Sequence, residues 1–135
     1  MLQITDVTKT PTQVGIDTQD ITAGSTVTGA ELDRGADTAV EGVTALLTVT
    51  SFAAAPNAAG YMRIALMPLD GTGGTLFDDG IGAAVVPMNV NQRYDCAVQL
   101  TWPAGARYLK VMLSNSTGQT ANGVSVALRW QAVTV

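Results

Sequence analysis

The sequence predicts an all-β protein, an antiparallel sandwich of two sheets with about seven or eight strands. Three stretches, 94–102, 107–114 and 123–135, alternate apolar and polar residues with a period of two, as strands with one buried face do. Glycine, proline, asparagine and aspartate cluster between the strand-like stretches and are typical of turns. The 135 residues fit one domain, 1–135, which is large enough to bury a core without disulfides.

Residues 1–24 are expected to form an extended arm or an edge strand, on this domain or on a neighbour. Their apolar residues are isolated among threonine and glutamine, and Pro11 divides the segment. Turns are predicted at 23–25 and 33–35, with a short strand at 26–32 between them. The segment has no apolar run of the kind found in signal peptides, so we expect synthesis in the cytoplasm.

The stretch 43–52 predicts a strand in the middle of the chain. Every second residue from Val43 to Val49 is apolar, which defines an inward face. Leu46 and Phe52 interrupt the opposite, polar face. We therefore expect part of that face to be covered.

Two more strands are expected before the C-terminal third. Residues 53–60 contain proline, asparagine and glycine and predict a loop. Strand 61–69 follows it, with alternate residues inward. Strand 83–90 is interrupted by Pro87, which lacks an N–H group and therefore suits the edge of a sheet.

The last three strands are expected to turn their apolar residues into the core. These residues are Tyr94, Cys96, Val98, Leu100, Trp102, Leu109, Val111, Leu113, Val124, Val126, Leu128, Trp130 and Ala132. Cys96 is the single cysteine, which excludes an intrachain disulfide, and its inward position predicts an inert thiol. Trp102 and Trp130 are in phase with their apolar neighbours, so core packing is favoured over exposed stacking on a sugar.

Composition argues against several partners and reactions. The net charge of −4 and the dispersed basic residues predict no binding to nucleic acid, and no apolar segment is long enough for a membrane helix. The chain has no histidine and two glutamates, so neither a histidine-dependent triad nor a pair of catalytic carboxylates is indicated. We expect no enzyme activity and no cofactor.

Two local motifs have ordinary structural explanations. Asp70, Asp78 and Asp79 lie in the glycine-rich connection 70–82 and could bind calcium, although their spacing matches no calcium loop and favours a solvated turn. The triplet Asn115-Ser-Thr has the form of a glycosylation acceptor, but a turn after a strand is favoured. No metal site is therefore assigned.

Several segments together resemble the small capsid cement, or decoration, proteins of tailed bacteriophages, in the group of the Bordetella phage cement protein. They are Ser25-Thr-Val-Thr, Glu31-Leu-Asp-Arg-Gly, 43–52, Arg107-Tyr-Leu-Lys-Val and 123–130. The resemblance implies a jelly-roll-like sandwich that forms dimers or trimers outside a capsid and stabilises contacts between capsomers. It further implies the major capsid protein as partner and the virion exterior as location.

Function is therefore expected in attachment, through the arm and exposed aromatic residues. Tyr61 and Tyr108 are out of phase with the inward residues of their strands, and amphipathic aromatics are enriched where proteins meet. The predicted contact residues are Leu2, Ile4, Val7, Val14, Tyr61 and Tyr108. The alternative function is a carbohydrate-binding module or small lectin, which requires Trp102 or Trp130 to be exposed in a groove.

Overall fold

A computed structural model describes residues 6–9, 12–35, 38–69, 81–103 and 105–134, and these form strands and connecting loops. The strands are β1 (Asp6–Lys9), β2 (Gln13–Ile21), β3 (Thr26–Thr28), β4 (Leu32–Asp33), β5 (Thr38–Val49), β6 (Ser51–Phe52), β7 (Tyr61–Pro68), β8 (Ile81–Pro87), β9 (Tyr94–Leu100), β10 (Tyr108–Ser116) and β11 (Ala121–Thr134). Within these segments no helix could span a bilayer. The predicted all-β class is confirmed.

The strands form two antiparallel sheets with jelly-roll topology. One sheet has six strands in the order β2-β11-β5-β9, with β1 and β6 also paired to β11. The other has five, in the order β3-β10-β7-β8, with β4 also paired to β10. The pairs β2–β11, β3–β10, β5–β9 and β7–β8 make one long antiparallel ribbon, and the pairs β11–β5 and β10–β7 close the rolled ribbon. This arrangement is that of a jelly roll.

The N-terminal segment forms an edge of its own domain. Strand β1 pairs with the end of β11, and β2 pairs with residues 121–128 of the same strand. Ile16 and Ile21 of β2 are buried in the common core. Strand β8, with Pro87 at its end, is likewise an edge strand, as predicted.

The core lies between the two sheets and contains the alternate residues that the sequence indicates. Side chains at the predicted inward positions of β9, β10 and β11 are buried or partly buried wherever they are described. Trp102 follows the end of β9, and its ring packs edge-on against Trp130 with centroids 4.9 Å apart. The indole Nε1 of Trp102 donates a hydrogen bond to the carbonyl of Ala106 at 2.7 Å. This aromatic pair closes one end of the core.

One β-bulge and one strand interruption change which face a side chain occupies. Gly42 has a φ of +61° and is the extra residue where the β5–β11 register shifts, a conformation that favours glycine. At Thr50 the strand is interrupted, so Phe52 is 4% exposed and packs in the core. Phe52 therefore does not cover the outer face. Leu46 remains on that face and is 45% exposed, so the chain itself leaves nearly half of this residue accessible.

The predicted strand 26–32 is divided into β3 and β4 because the sheets approach each other closely there. A Cβ atom on Gly29 would overlap the backbone carbonyl oxygen of Gly15 in β2. Gly29 also donates its N–H to the carbonyl of Val111 at 2.9 Å. Only a glycine allows this contact between the edges of the two sheets.

Candidate binding face

The predicted contact residues do not form one patch. Val14 is 58% exposed on the outer face of the six-stranded sheet. Tyr61 and Tyr108 lie on the outer face of the other sheet, near opposite ends of the β7–β10 pair, roughly 25 Å apart at the usual rise per residue. Val7 is placed in β1 by its pairing, whereas Leu2 and Ile4 lie outside the described residues.

Tyr108 is also less available than the sequence predicts. Its ring is partly buried, and the guanidinium of Arg107 lies 4.9 Å from the ring centroid. Arg107 in turn forms an ion pair with Asp33 at 2.9 Å. Tyr61 is more accessible, at 38% exposed. The aromatic residues therefore do not define the candidate site.

The outer face of the six-stranded sheet instead carries a continuous row of aliphatic side chains. The strand register places Val14 beside Ala127, Ala127 beside Leu46, and Leu46 beside Ala97. We call these four residues the apolar stripe. The row crosses four adjacent strands and is about 14 Å long at the usual strand spacing. Val14, Leu46 and Ala97 are exposed and Ala127 is partly buried, so the row offers apolar surface to another molecule.

Polar side chains border the apolar stripe on one side. The nearest row contains Thr44, Gln99 and Arg129, which occupy paired positions on β5, β9 and β11. Gln99 Nε2 donates to Thr44 Oγ1 at 3.1 Å, and Arg129 Nη2 donates to Thr12 Oγ1 at 2.8 Å. Thr12, Thr44 and Arg129, with Gly42, line an open groove of about 580 Å³, and the groove also includes the stripe residues Leu46, Ala97 and Ala127.

The other border of the stripe is also hydrogen-bonded. Thr48 Oγ1 donates to the Asp95 carboxylate at 3.1 Å, and Arg93 forms an ion pair with Asp95 at 2.9 Å. The hydrogen bond from Arg93 is the main cause that lowers the pKa of Asp95. The two charges on this border therefore largely offset each other, whereas Arg129 on the opposite border contacts a neutral hydroxyl.

The remaining reactive groups have structural roles. Burial raises the pKa of the Cys96 thiol, with a further contribution from Asp95, which supports the expectation of an inert cysteine. Asn115 is buried, and its Nδ2 donates to the carbonyls of Ile21 and Gln119 at 2.9 and 2.8 Å. An amide held in this way is not accessible to a glycosyl donor.

Neither a metal site nor an aromatic sugar platform is found in the described segments. They contain no group of three or more residues suited to bind a metal ion, and Asp70, Asp78 and Asp79 lie outside them. Trp102 and Trp130 are 7% and 4% exposed, so core packing is confirmed for both. The structural requirement of the lectin alternative, an exposed tryptophan, is not met.

The sequence contained only fragments of this face. Val14 is an isolated apolar residue in the sequence and Leu46 interrupts a polar face, whereas Ala97 and Ala127 carry no signal. The four residues become neighbours only through the strand register. A comparison with models of protein families finds no match, and a comparison with curated protein sequences finds none either.

Proposed function

We propose that this protein is a structural binding protein that attaches to the outside of a tailed-phage capsid and stabilises contacts between capsomers. The observation that carries the proposal is the apolar stripe, which crosses an exposed sheet face between two polar borders. A central apolar strip with a polar rim is the usual organisation of a protein–protein interface. The partner on this proposal is the major capsid protein.

The chemistry of the stripe favours a protein surface over a sugar. Its side chains are aliphatic and gain free energy by displacing water from another apolar surface. Sugar-binding sites instead commonly use exposed aromatic rings, and both tryptophans are buried in the core. The apolar stripe is therefore better suited to bind an apolar surface of a protein than a sugar.

The assignment to a capsid is supported by two further features. Jelly rolls recur in viral shells, although they also occur in lectins and enzymes, so the fold by itself is analogy. The segments that resemble phage cement proteins include 43–52 and 123–130, which overlap the two central strands of the face. Self-association as a dimer or trimer, and a location on the virion exterior, belong to the same proposal.

Co-sedimentation with empty capsids from the same source tests this function. Leu46→Asp places a charge in the stripe, whereas Val85→Asp places the same charge at a residue 57% exposed on the other sheet. We expect the wild type and Val85→Asp to sediment with the shells and Leu46→Asp to remain in the supernatant. The reverse pattern, or a wild type that ignores the shells, would contradict the proposal.

Point substitutions are sharper here than deletion of the N-terminal arm. Removing residues 1–20 would take Ile16 out of the core and leave β11 with an unpaired edge. Loss of binding would then reflect unfolding. Val14→Asp retains β2, since the side chain is largely exposed, and tests the contribution of the arm directly.

A further inference from the structure

We propose that the apolar stripe binds an extended segment of the partner protein in which an apolar residue and an aspartate or glutamate are two positions apart. The apolar side chain packs on Leu46, and the carboxylate pairs with Arg129. This inference rests on the proposed function, because it names the chemistry of the partner at the same face. It makes Arg129 the residue that selects the partner.

Among the described residues that line the groove, Arg129 carries the one charged side chain. Its Nη2 donates to Thr12 Oγ1 at 2.8 Å, and within the described part of the chain it contacts no carboxylate. Two other arginines differ, because Arg93 pairs with Asp95 and Arg107 pairs with Asp33, each at 2.9 Å. A guanidinium has five N–H donors, so Arg129 keeps the capacity to hold a carboxylate through two parallel hydrogen bonds.

The strand geometry sets the spacing of the partner's side chains. Arg129 lies two residues beyond Ala127 on β11, and Thr44 lies two residues from Leu46 on β5. Two residues along a strand correspond to about 7 Å, and both side chains point to the same face. An extended segment running along these strands repeats the same distance at alternate residues. It therefore presents one apolar and one acidic side chain in register with the stripe and Arg129.

Charge complementarity favours this occupant over a basic one. The opposite border of the stripe carries Arg93 and Asp95, which neutralise each other. The uncompensated charge on the described groove lining is thus that of Arg129. A lysine or arginine at the same place in a partner would be repelled.

An NMR titration of the full-length ¹⁵N-labelled protein with short synthetic peptides tests the inference. The probes contain Leu-Thr-Glu, Leu-Thr-Gln or Leu-Glu-Thr between serine and glycine residues. We expect shifts at Leu46 and Ala127 with Leu-Thr-Glu, and about tenfold weaker binding of Leu-Thr-Gln, since a charge-assisted hydrogen bond is lost. Leu-Glu-Thr puts the two side chains on opposite faces and should bind as weakly as the glutamine peptide.

Substitution of Arg129 distinguishes a real pairing from general electrostatics. Arg129→Gln should bind the Glu and Gln peptides equally, whereas Lys110→Gln on the other sheet should keep the tenfold preference. Equal binding of the two peptides by the wild type would overturn the inference. So would a preference that survives in Arg129→Gln, shifts confined to the five-stranded sheet, or an absence of binding by every peptide.

Sedimentation with capsids separates this inference from the proposed function. If the wild type and Arg129→Gln sediment equally well with shells, the acidic partner is refuted and the attachment function stands. If the wild type does not sediment, the attachment function fails whatever the peptides do. If the stripe proves to be occupied by a second copy of this chain in solution, shown by a dimer that Leu46→Asp dissociates, the partner inference is also refuted.

Discussion

Leu46 and Leu47 are adjacent on β5 but face opposite sides of the sheet, so the same substitution should have very different costs. Leu47 is fully buried, and its change to alanine should destabilise the fold by about 3 kcal/mol through lost contacts and a cavity. Leu46 is 45% exposed, and its change to alanine should cost about 1 kcal/mol. For a domain of this size, we expect the melting temperature to fall by roughly 12 °C and 4 °C, respectively.

Urea unfolding followed by tryptophan fluorescence provides the measurement. Trp102 and Trp130 pack against each other in the core, so their emission reports the global transition. Linear extrapolation gives the free energy of unfolding of each variant. If Leu46→Ala proved as destabilising as Leu47→Ala, Leu46 would not be exposed. The apolar stripe, and the functional proposals built on it, would then lose their basis.

Three further predictions concern groups away from the stripe. Asn115→Ala should lower the free energy of unfolding by about 3 kcal/mol, because it leaves the carbonyls of Ile21 and Gln119 unpaired. Asn89→Ala, which removes an exposed hydrogen bond, should change it little. Equal effects of the two variants in urea unfolding would contradict the structural role of Asn115. Burial raises the pKa of the Cys96 thiol, so iodoacetamide should label the folded protein much more slowly than the urea-unfolded chain, as mass spectrometry would show; equal rates would exclude a protected thiol. The hydrogen bond from Arg107 holds the pKa of Asp33 below its ordinary value of 3.8. The ionised Asp33 therefore stabilises the fold above that pH, and this stabilisation is lost as the pH falls through the lowered pKa. Asp33→Asn should flatten the acid limb of a plot of unfolding free energy against pH, and an unchanged limb would refute the pairing.

The inward faces of the strands could be predicted because the information is local. A period of two along β9, β10 and β11 identifies buried positions without reference to any other strand. The same logic failed at Phe52, because the strand is interrupted at Thr50 and its faces reverse there without a change of register against β11. The period of two also does not decide whether the outward Leu46 is covered, since that depends on the neighbouring strands and on a partner.

The candidate site could not be predicted because its residues are distant in the sequence. Val14, Leu46, Ala97 and Ala127 come from four strands and meet only when the ribbon rolls into two sheets. Alanine has no sequence pattern that marks it as a contact residue. Predicting the stripe requires the pairing register of the strands. The hydrophobic pattern of a strand shows which of its faces is buried, but it does not show which residues of other strands lie beside it.

The energetics of the stripe imply that one copy of this face binds weakly. Burying the exposed parts of Leu46 and Val14 supplies about 1 kcal/mol each, and a carboxylate on Arg129 adds about 2 kcal/mol. The sum, about 4 kcal/mol, does not include the cost of association, so the dissociation constant of one face is no lower than about 1 mM. Stable attachment at lower concentration therefore needs several such faces joined in one particle, since each additional face then binds at a high effective concentration. The proposed dimer or trimer supplies this linkage, and the repeated sites of a capsid supply the matching array. On this argument the stripe and Arg129 determine where the protein binds, and the number of linked copies determines how tightly.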